Sequence, residues 1–254
     1  MYTIAILGHG KVGRALEQIY RESVFDQPLI KDIHIDNFTE DIDILNICIP
    51  YSDDFITIVA EQMERVKPKL TIIHSTVEPY TTIKLKRKTK MLIVHSPIRG
   101  LHSNLYKSIK TFVKYIGADN SKDGNMAKDH FKELGWKRSK VFSPSIVTEV
   151  NKLISTTYYG ICIAVTDYIS DICEEFKIPF ETFRHFNTTY NRGYRRFRMK
   201  NVNRPELNPP NGPIQGTCIV PNAKILQKHV DHKLIQALLE VGENKKIKVA
   251  DKLE

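Results

Sequence analysis

The sequence lacks the cysteine and apolar patterns that define several protein classes. Its four cysteines form no CxxC pair, so neither a disulfide framework nor a zinc knuckle is supported, and we expect no metal ion. No apolar run approaches the roughly 20 residues that cross a bilayer. The chain opens directly on an apolar strand, MYTIAILG, which does not resemble a signal peptide. We therefore expect a soluble, reduced, cytoplasmic protein.

The composition is that of a globular chain with an excess of positive charge. Hydrophobic residues make up 41% of the 254 residues and charged residues 26%, which predicts a buried core. The formal net charge is +9. Basic residues crowd one aromatic-containing segment: Arg192, Arg195, Arg196, Arg198, Lys200 and Arg204. The remainder is nearly balanced, which favours an anionic small-molecule substrate over nucleic acid, and no membrane partner is indicated.

The order of the apolar segments predicts an α/β fold with two parts. Short apolar strands alternate with amphipathic helices in residues 1–144, as in a doubly wound, mostly parallel sheet of the Rossmann type. The second strand is predicted over residues 32–36. Residues 145–254 read as a smaller all-helical domain. It opens with one long helix over residues 146–176, continues through a loop over residues 187–217, and returns to helix over residues 226–241.

A glycine pattern at the end of the first strand predicts dinucleotide binding. Gly8, Gly10 and Gly13 form GxGxxG between a strand and a helix, where glycine allows a tight turn, a close approach of pyrophosphate and close helix–strand packing. The helix N-terminus, with Lys11 and Val12, offers free N–H groups to the phosphates. Asp36 is predicted to end the second strand and to bind the adenosine ribose, which favours NAD over NADP. The alternative is a glycine-rich turn without a ligand.

Three further segments are candidates for chemistry, each with a simpler alternative. Lys152 has apolar neighbours in the sequence. Its amine could therefore be desolvated and exchange protons near neutral pH, while the simpler interpretation is a solvated lysine on a helix. Cys218 is the only cysteine in a predicted loop, although an inert thiol is the simpler interpretation. Ser75 and Thr76 follow the carboxyl end of a strand, the edge where open α/β sheets bind ligands, although an ordinary turn also fits.

Together these segments resemble a known family. The glycine loop, the strand ending at Pro50, Ser75-Thr76-Val77 and Ser96-Pro97-Ile98-Arg99 occur in the order typical of UDP-glucose/GDP-mannose/UDP-N-acetylmannosamine dehydrogenases. Glu149-x-x-Lys152-Leu153 is similar to the start of that family's central helix, and Gly216-Thr217-Cys218-Ile219 to its catalytic cysteine loop. The resemblance implies a Rossmann domain, a dimerising central helix, and oxidation of a nucleotide sugar's primary alcohol to the acid by two NAD through a cysteine-bound thiohemiacetal and thioester.

The resemblance assigns roles residue by residue. Cys218 matches the nucleophile, Lys152 the lysine that steadies the oxyanion, and Thr76 a threonine that positions the hydrolytic water. Thr156 and Asn222 stand where the family has a catalytic asparagine and aspartate. The implied cofactor-binding residues are Gly8, Gly10, Lys11, Val12, Gly13, Asp36, Pro50, Ser75 and Thr76. The implied substrate-binding residues are Arg99, Glu149, Lys152, Arg192, Arg195, Arg196 and Gly216.

The departures from the family pattern have chemical content. Ile98 replaces a glutamate that assists thioester hydrolysis, and with Asn222 in place of aspartate the thioester lacks its nearest general base. From the resemblance we also expect the family's carboxy-terminal UDP-binding domain to be missing. Hydride transfer with Lys152 as acid/base needs none of the missing groups.

Two alternatives therefore stay open beside a nucleotide-sugar dehydrogenase. One is a β-hydroxyacid type of dehydrogenase that makes a single two-electron oxidation with Lys152. The other is a non-catalytic homologue that binds NAD or a nucleotide. In each case we expect a homodimer through the helix at residues 146–176, because its apolar residues lie on more than one face.

Overall fold

The computed structural model describes residues 2–23, 25, 27–101, 104–214 and 218–244. The chain divides into two compact units, Met1–Lys152 and Leu153–Glu254. The boundary predicted after residue 144 coincides with the start of the long helix, whereas the division falls between Lys152 and Leu153. The reason is that the first two turns of this helix bond to the first unit, through Thr148, Glu149 and Lys152.

The first unit is an α/β sheet, as predicted. Its strands are β1 (Ile4–Leu7), β2 (Leu29–Asp32), β3 (Ile35–Asp36), β4 (Ile44–Ile47), β5 (Leu70–Ile73), β6 (Ile93–His95), β7 (Lys114–Gly117) and β8 (Ser139–Phe142). The helices between them are α1 (Lys11–Arg21), α2 (Phe55–Val66), α3 (Thr81–Thr89), α4 (Leu105–Ile109) and α5 (Ser121–Glu133). The polar edge strand β8 was not predicted, because its half-exposed residues give no apolar run.

The strand order explains where a ligand is expected. The order is β3-β2-β1-β4-β5-β6-β7-β8, and all neighbours pair in parallel except β2–β3 and β6–β7. The chain proceeds from β1 to β2 on one side and then returns to β4 on the other side of β1. In open α/β sheets the crevice at such a reversal, outside the carboxyl ends of the strands, is the usual ligand site.

The central strands are buried because helices cover both faces of the sheet. Every residue of β1, β4 and β5 is buried, which agrees with the continuous apolar runs that predicted them. On one face α1 contributes Leu16 and Ile19 to the core, and on the other α2 contributes Phe55 and Val59.

A buried polar network lies within this core. Lys114 donates to His74 Nδ1 at 3.3 Å and to the Ser96 carbonyl at 2.8 Å. His74 Nε2 donates to Asn46 Oδ1 at 2.9 Å. The network supplies hydrogen-bond partners to these buried groups. Because burial disfavours their charged forms, desolvation lowers the pKa of Lys114 to about 7 and holds the pKa of His74 well below its usual value.

The network continues to a second buried histidine. Tyr20 accepts from Asn46 Nδ2 at 3.0 Å and donates to His130 Nε2 at 2.7 Å. Burial lowers the pKa of His130 to about 4, so this ring is a neutral acceptor at neutral pH.

The second unit is helical, as predicted. The long helix α6 (Ile146–Glu175) enters it from the first unit, and α7 (Phe180–Arg196), a 3₁₀ turn (Lys200–Val202), α8 (Ile219–Gln227) and α9 (Lys233–Asn244) follow. A Cβ on Gly160 would lie 2.5 Å from the Ile219 side chain and 2.7 Å from that of Leu238, so this glycine allows α8 and α9 to pack closely on α6. Within the described residues, no helix is long and apolar enough to cross a membrane.

The prediction of a loop from residue 187 is wrong for residues 187–196, which continue α7. Two asparagines that suggested a loop instead bind a neighbouring segment from the helix. Asn187 donates to the Pro205 carbonyl at 3.0 Å, and Asn191 bonds both the N–H and the carbonyl of Arg204 at 2.9 Å. The side chains therefore satisfy backbone groups of an irregular segment, a role that local propensity does not reveal.

The buried histidines predict acid lability of the first unit. His130 is neutral when folded and has a pKa near 6.5 when unfolded, so unfolding binds a proton below pH 6.5. The stability this contributes is lost as pH falls from 6.5 towards about 4, with a slope of at most about 1.4 kcal/mol per pH unit. Urea unfolding followed by the single tryptophan, the buried Trp136, measures it. His130→Gln should flatten the slope by up to this amount, and an unchanged slope would contradict the assignment.

Candidate active site

Two glycines of the loop are required by the packing of the backbone, and the third leaves open space in front of the loop. Gly8 has φ +98°, and a Cβ there would lie 2.8 Å from the backbone of Cys48. A Cβ on Gly13 would lie 2.0 Å from the Gly8 carbonyl oxygen, so α1 approaches β1 too closely for any side chain. Gly10 faces open space, since a Cβ on it would meet no described atom within 4 Å. The loop is therefore tight against the sheet and open in front of the helix.

The N-terminus of α1 is suited to an anion. The N-cap residue is Gly10, which supplies no capping side chain, and the first turn holds no acidic residue. The first N–H groups of the helix, from Lys11 and Val12 onward, are thus available to an acceptor outside the helix. The exposed side chains of Lys11 and Arg14 add positive charge at the same end.

The acid beside this loop is Asp32 rather than Asp36. Residues 32–36 do not form the predicted single strand: β2 ends at Asp32, and the chain turns at Ile33 into the antiparallel β3. Asp32 accepts from the backbone N–H of His9 in the glycine loop and from that of Ile33 at 2.7 Å. These two N–H groups hold the pKa of Asp32 below its usual value.

Asp36 is engaged elsewhere. It pairs with Lys31, its cross-strand neighbour, and with Arg65 of α2 at 2.7 Å. Hydrogen bonds from Arg65 and Lys31 hold the pKa of Asp36 far below its usual range. The hairpin thus uses Asp36 to close an ion-paired turn, which the sequence pattern does not distinguish from a strand end.

A shallow cavity of about 420 Å³ joins the glycine loop to Asp32. It is lined by His9, Gly10, Arg14, Asp32, His34 and Ile35. Asp36 does not line it. The three features that a dinucleotide's adenosine half requires, an open glycine, a helix N-terminus and an ionised carboxylate, therefore border one cavity.

The other predicted cofactor residues lie at the same edge of the sheet. Pro50 follows β4, and Ser75 and Thr76 follow β5, so all stand at carboxyl ends of parallel strands. Ser75 Oγ donates to the Ile49 carbonyl at 2.6 Å, which ties the two strand ends together.

Lys152 belongs to the first unit and lies at this edge as well. Its Nζ donates to the carbonyl of Ile98, just beyond β6, at 3.0 Å. The lysine is half-buried, which agrees with neither a fully solvated side chain nor a core position. The side chain of Ile98 is buried and apolar, so position 98 offers the lysine only its backbone oxygen.

Two predicted substrate-binding residues of the first unit have other partners. Glu149 is fully buried and accepts from the N–H groups of Tyr80, at 2.6 Å, and Thr82, at 2.8 Å. It caps the start of α3, because a carboxylate satisfies N–H groups that the helix leaves open, and a substrate cannot reach it in this position. Arg99 is half-buried, and its guanidinium stacks on the rings of Phe112 and Tyr115, 5.3 and 5.1 Å from their centroids.

The second unit holds the cysteine and two residues predicted with it. Cys218 is half-buried and immediately precedes α8. Its carbonyl accepts from the Asn222 N–H at 3.1 Å, and Asn222 Nδ2 donates to Thr156 Oγ1 at 3.0 Å. The structure thus brings Thr156 and Asn222 into contact one turn after Cys218. Gly216 lies outside the described residues.

The predicted substrate arginines lie on the last turns of α7, not in a loop. Arg195 pairs with Glu206 at 3.3 Å, while Arg192 and Arg196 are exposed. Arg204 stacks on Tyr190, with its guanidinium carbon 3.7 Å from the ring centroid. Among the described residues, no group of three or more His, Cys, Asp or Glu side chains is arranged to hold a metal ion.

Sequence reasoning missed two residues at this edge, Asp32 and His95. Asp32 was included in the predicted strand, and the signal that it ends β2 was the drop in apolar character after Ile30. His95 was included as the last residue of an apolar strand. It is fully buried and bonds to Ser75 and Thr148, which no sequence pattern marks.

The chain is similar to known proteins in sequence and in fold. No family model matches the chain. A curated UDP-N-acetyl-D-mannosamine dehydrogenase of Methanococcus maripaludis is 26% identical over 233 residues, which cover 84% of this chain and 51% of that protein. The chain thus spans about half the length of this relative.

Solved structures of dehydrogenases share the fold. UDP-D-ManNAc dehydrogenase of Pyrococcus horikoshii superposes with a TM-score of 0.77 at 17% identity, over 95% of this chain and 68% of that one. The 3-hydroxyisobutyrate dehydrogenase of Mycobacterium tuberculosis superposes with a TM-score of 0.70 at 11% identity, over 94% and 92%. The resemblance to nucleotide-sugar dehydrogenases that the motifs indicated is confirmed, and so is the Rossmann-type fold with a helical part.

Proposed function

We propose that this protein is an NAD-dependent oxidoreductase that oxidises a primary alcohol of a nucleotide-linked or phosphorylated sugar. The observation that carries the proposal lies within the first unit. One edge of the sheet presents the glycine loop, the ionised Asp32 and the amine of Lys152. The similarity to nucleotide-sugar dehydrogenases supports the substrate class.

The cofactor is held by residues of the glycine loop and the neighbouring strand ends. Gly10 would leave room for the pyrophosphate, the N–H groups of Lys11, Val12 and Gly13 would bind its charge, and Asp32 would take the ribose role that the sequence predicts for Asp36. Pro50, Ser75 and Thr76 would hold the nicotinamide half. NAD, when bound, accepts the hydride that leaves the alcohol carbon. Asp32 opposes a 2′-phosphate as a like charge, so NAD(H) is preferred to NADP(H).

Lys152 moves the proton of the alcohol. Its amine removes the hydroxyl proton as the carbon is oxidised and, once protonated, faces the oxygen that carries negative charge. The bond to the Ile98 carbonyl holds the amine at a fixed point of the sheet edge, which limits the number of positions it samples.

Cys218 forms a covalent adduct with the aldehyde of the first oxidation, in agreement with the family's cysteine loop. The thiol would add to the carbonyl carbon and its proton would pass to the carbonyl oxygen, which gives a thiohemiacetal. A second NAD would take the hydride from this adduct, its hydroxyl proton would be lost, and the resulting thioester would have to be cleaved by water. Ile98 has a buried hydrocarbon side chain, and Asn222 has an uncharged amide that donates to Thr156, so neither supplies the carboxylate base that hydrolysis needs. Acid formation is therefore slow relative to the first oxidation.

The anionic part of the substrate is bound by arginines of α7. Arg192 and Arg196 are exposed at the end of this helix, and Arg195 beside them is paired with Glu206. Guanidinium groups bind phosphate through forked hydrogen bonds, which suits a sugar nucleotide or sugar phosphate.

A second candidate is a two-electron dehydrogenase of the β-hydroxyacid type. The specific observation in its favour is the fold match to 3-hydroxyisobutyrate dehydrogenase, which covers 92% of that chain. This reaction needs Lys152 but not Cys218. Turnover with NAD across UDP-sugars, GDP-sugars and small hydroxy acids separates the two candidates.

Removing the charge of Asp32 should weaken cofactor binding, whereas removing the charge of Asp36 should not. Asp32→Asn should weaken NADH binding by roughly 10–100-fold, because it removes a charged hydrogen-bond acceptor for the ribose, and should narrow the preference over NADPH. Asp36→Asn is the matched control and should leave both affinities within about twofold. Calorimetric titration with each dinucleotide measures the change. A larger effect at Asp36 than at Asp32 would favour Asp36 as the ribose ligand and contradict the proposal.

Lys152 and Cys218 separate the two halves of the reaction. Lys152→Ala should lower the rate of the first oxidation by roughly 10²–10⁴-fold, because proton acceptor and oxyanion partner are lost together. Cys218→Ser should spare the first oxidation and stop acid formation. Stopped-flow NADH formation and product mass spectrometry follow both steps, with Lys67→Ala, an exposed lysine, as control. A wild type that forms acid at ordinary rates would contradict the slow hydrolysis.

We further propose a homodimer through α6. An exposed apolar stripe follows the helix at spacings of three, four and seven residues and continues to the residue just after its end: Ile154, Tyr158, Val165, Tyr168, Ile172 and Phe176. Such a stripe is typical of a helix that packs against another helix.

The stripe predicts the oligomeric state and its disruption. Light scattering at micromolar concentration should give twice 29.3 kDa for the wild type. Tyr158→Asp combined with Tyr168→Asp should give the monomer mass, because it would bury two charges in an apolar contact. Leu101→Asp, at an exposed site of the first unit, should remain dimeric. A monomeric wild type would refute the proposal.

A further inference from the structure

His95 is a buried imidazole with both ring nitrogens bonded. It ends β6 and is fully inaccessible to solvent. Nε2 lies 3.0 Å from the Ser75 carbonyl oxygen, and Nδ1 lies 2.8 Å from Thr148 Oγ1. The ring therefore joins the end of β5 to the first turn of α6.

The partners define the direction of each hydrogen bond. A carbonyl oxygen only accepts, so Nε2 carries the proton and donates to Ser75. Nδ1 then accepts from the Thr148 hydroxyl. This neutral form is maintained because burial, with Lys114 and Lys152 nearby, lowers the pKa of His95 to about 3.

Each end of this link adjoins a residue of the proposed site. Ser75 precedes Thr76 and is itself tied to the end of β4 through the Ile49 carbonyl. Thr148 lies one helical turn before Lys152, on the same face of α6. The same short segment, His95 to Ile98, thus bonds the helix twice, at Thr148 and at Lys152.

We propose that His95 is a positioning residue that fixes the Ser75–Thr76 segment and Lys152 relative to one another. The amine that accepts the proton therefore keeps a constant position relative to the cofactor-binding edge of the sheet. This inference rests on the proposed function for its catalytic consequence. The position of the Lys152 amine can be tested without it.

The two hydrogen bonds of His95 can be removed separately. His95→Gln retains a donor for the Ser75 carbonyl and loses the acceptor for Thr148. His95→Asn retains an acceptor near Thr148 and loses the donor to Ser75. Thr148→Val removes the hydroxyl at nearly constant volume, and Thr148→Ser restores it. Thr166→Val is the matched control, because Thr166 is a buried threonine of the same helix whose hydroxyl donates to the carbonyl four residues earlier.

The first readout is the reactivity of the Lys152 amine in the apo protein. Pulse acetylation with acetic anhydride, read by mass spectrometry and normalised to the exposed Lys67, should rise about threefold or more in His95→Gln and Thr148→Val. It should stay at the wild-type value in Thr148→Ser and Thr166→Val. Wild-type reactivity in His95→Gln and Thr148→Val would overturn the link to Lys152, whether or not the protein binds NAD.

The second readout separates the two ends in the enzyme. His95→Gln and Thr148→Val should lower kcat about tenfold with the NADH affinity within about threefold. His95→Asn should weaken NADH binding about tenfold with a smaller loss of kcat. The double variant His95→Gln/Thr148→Val should lose no more than either single one. If kcat and the affinity for NADH fell by the same factor in every variant, the proposal would be overturned. A wild type that binds no NADH would instead refute the proposed function.

Discussion

The close approach of α1 to β1 is the constraint on which the candidate site depends. With the Gly13 Cβ position 2.0 Å from the Gly8 carbonyl oxygen, the helix can begin where it does only if residue 13 is glycine, and the φ of +98° at residue 8 favours glycine there as well. This contact sets the direction of the helix N-terminus and brings the loop backbone at His9 to Asp32 at the end of β2. The cavity between them follows from the same contact, because Gly10 contributes no side chain to fill it.

A second set of constraints attaches α6 to the sheet. Thr148 bonds His95, Glu149 caps the start of α3, and Lys152 bonds the carbonyl of Ile98. These three residues span just over one helical turn, and their partners come from β6, the start of α3 and the segment after β6. A helix whose first two turns are held at three points does not need its apolar face alone to fix its position. The lysine is thereby placed at the carboxyl edge of the strands, which is where the topology of the sheet predicts a ligand.

Much of this arrangement was predictable from sequence, because parallel strands are read as continuous apolar runs and glycine spacing has a direct steric meaning. The fold class, the long helix at residues 146–176 and the glycine loop were predicted on these grounds. The differences between these predictions and the structure share another cause. Asp36 was assigned by position, Glu149 by resemblance, and the segment that contains Asn191 by composition. Each of the three residues is bound by a partner distant in sequence: Arg65, Thr82 and Arg204. Local patterns carry no information on such partners.

We propose that the glycine loop and Asp32 bind a dinucleotide at the sheet edge that also carries Lys152. A crystal structure of the protein grown with NAD would show where the dinucleotide binds. We expect density for the pyrophosphate against Gly10 and the N-terminus of α1, with the ribose hydroxyls within hydrogen-bond distance of the Asp32 carboxylate. A ribose bound at Asp36, or a dinucleotide bound away from the glycine loop, would contradict it.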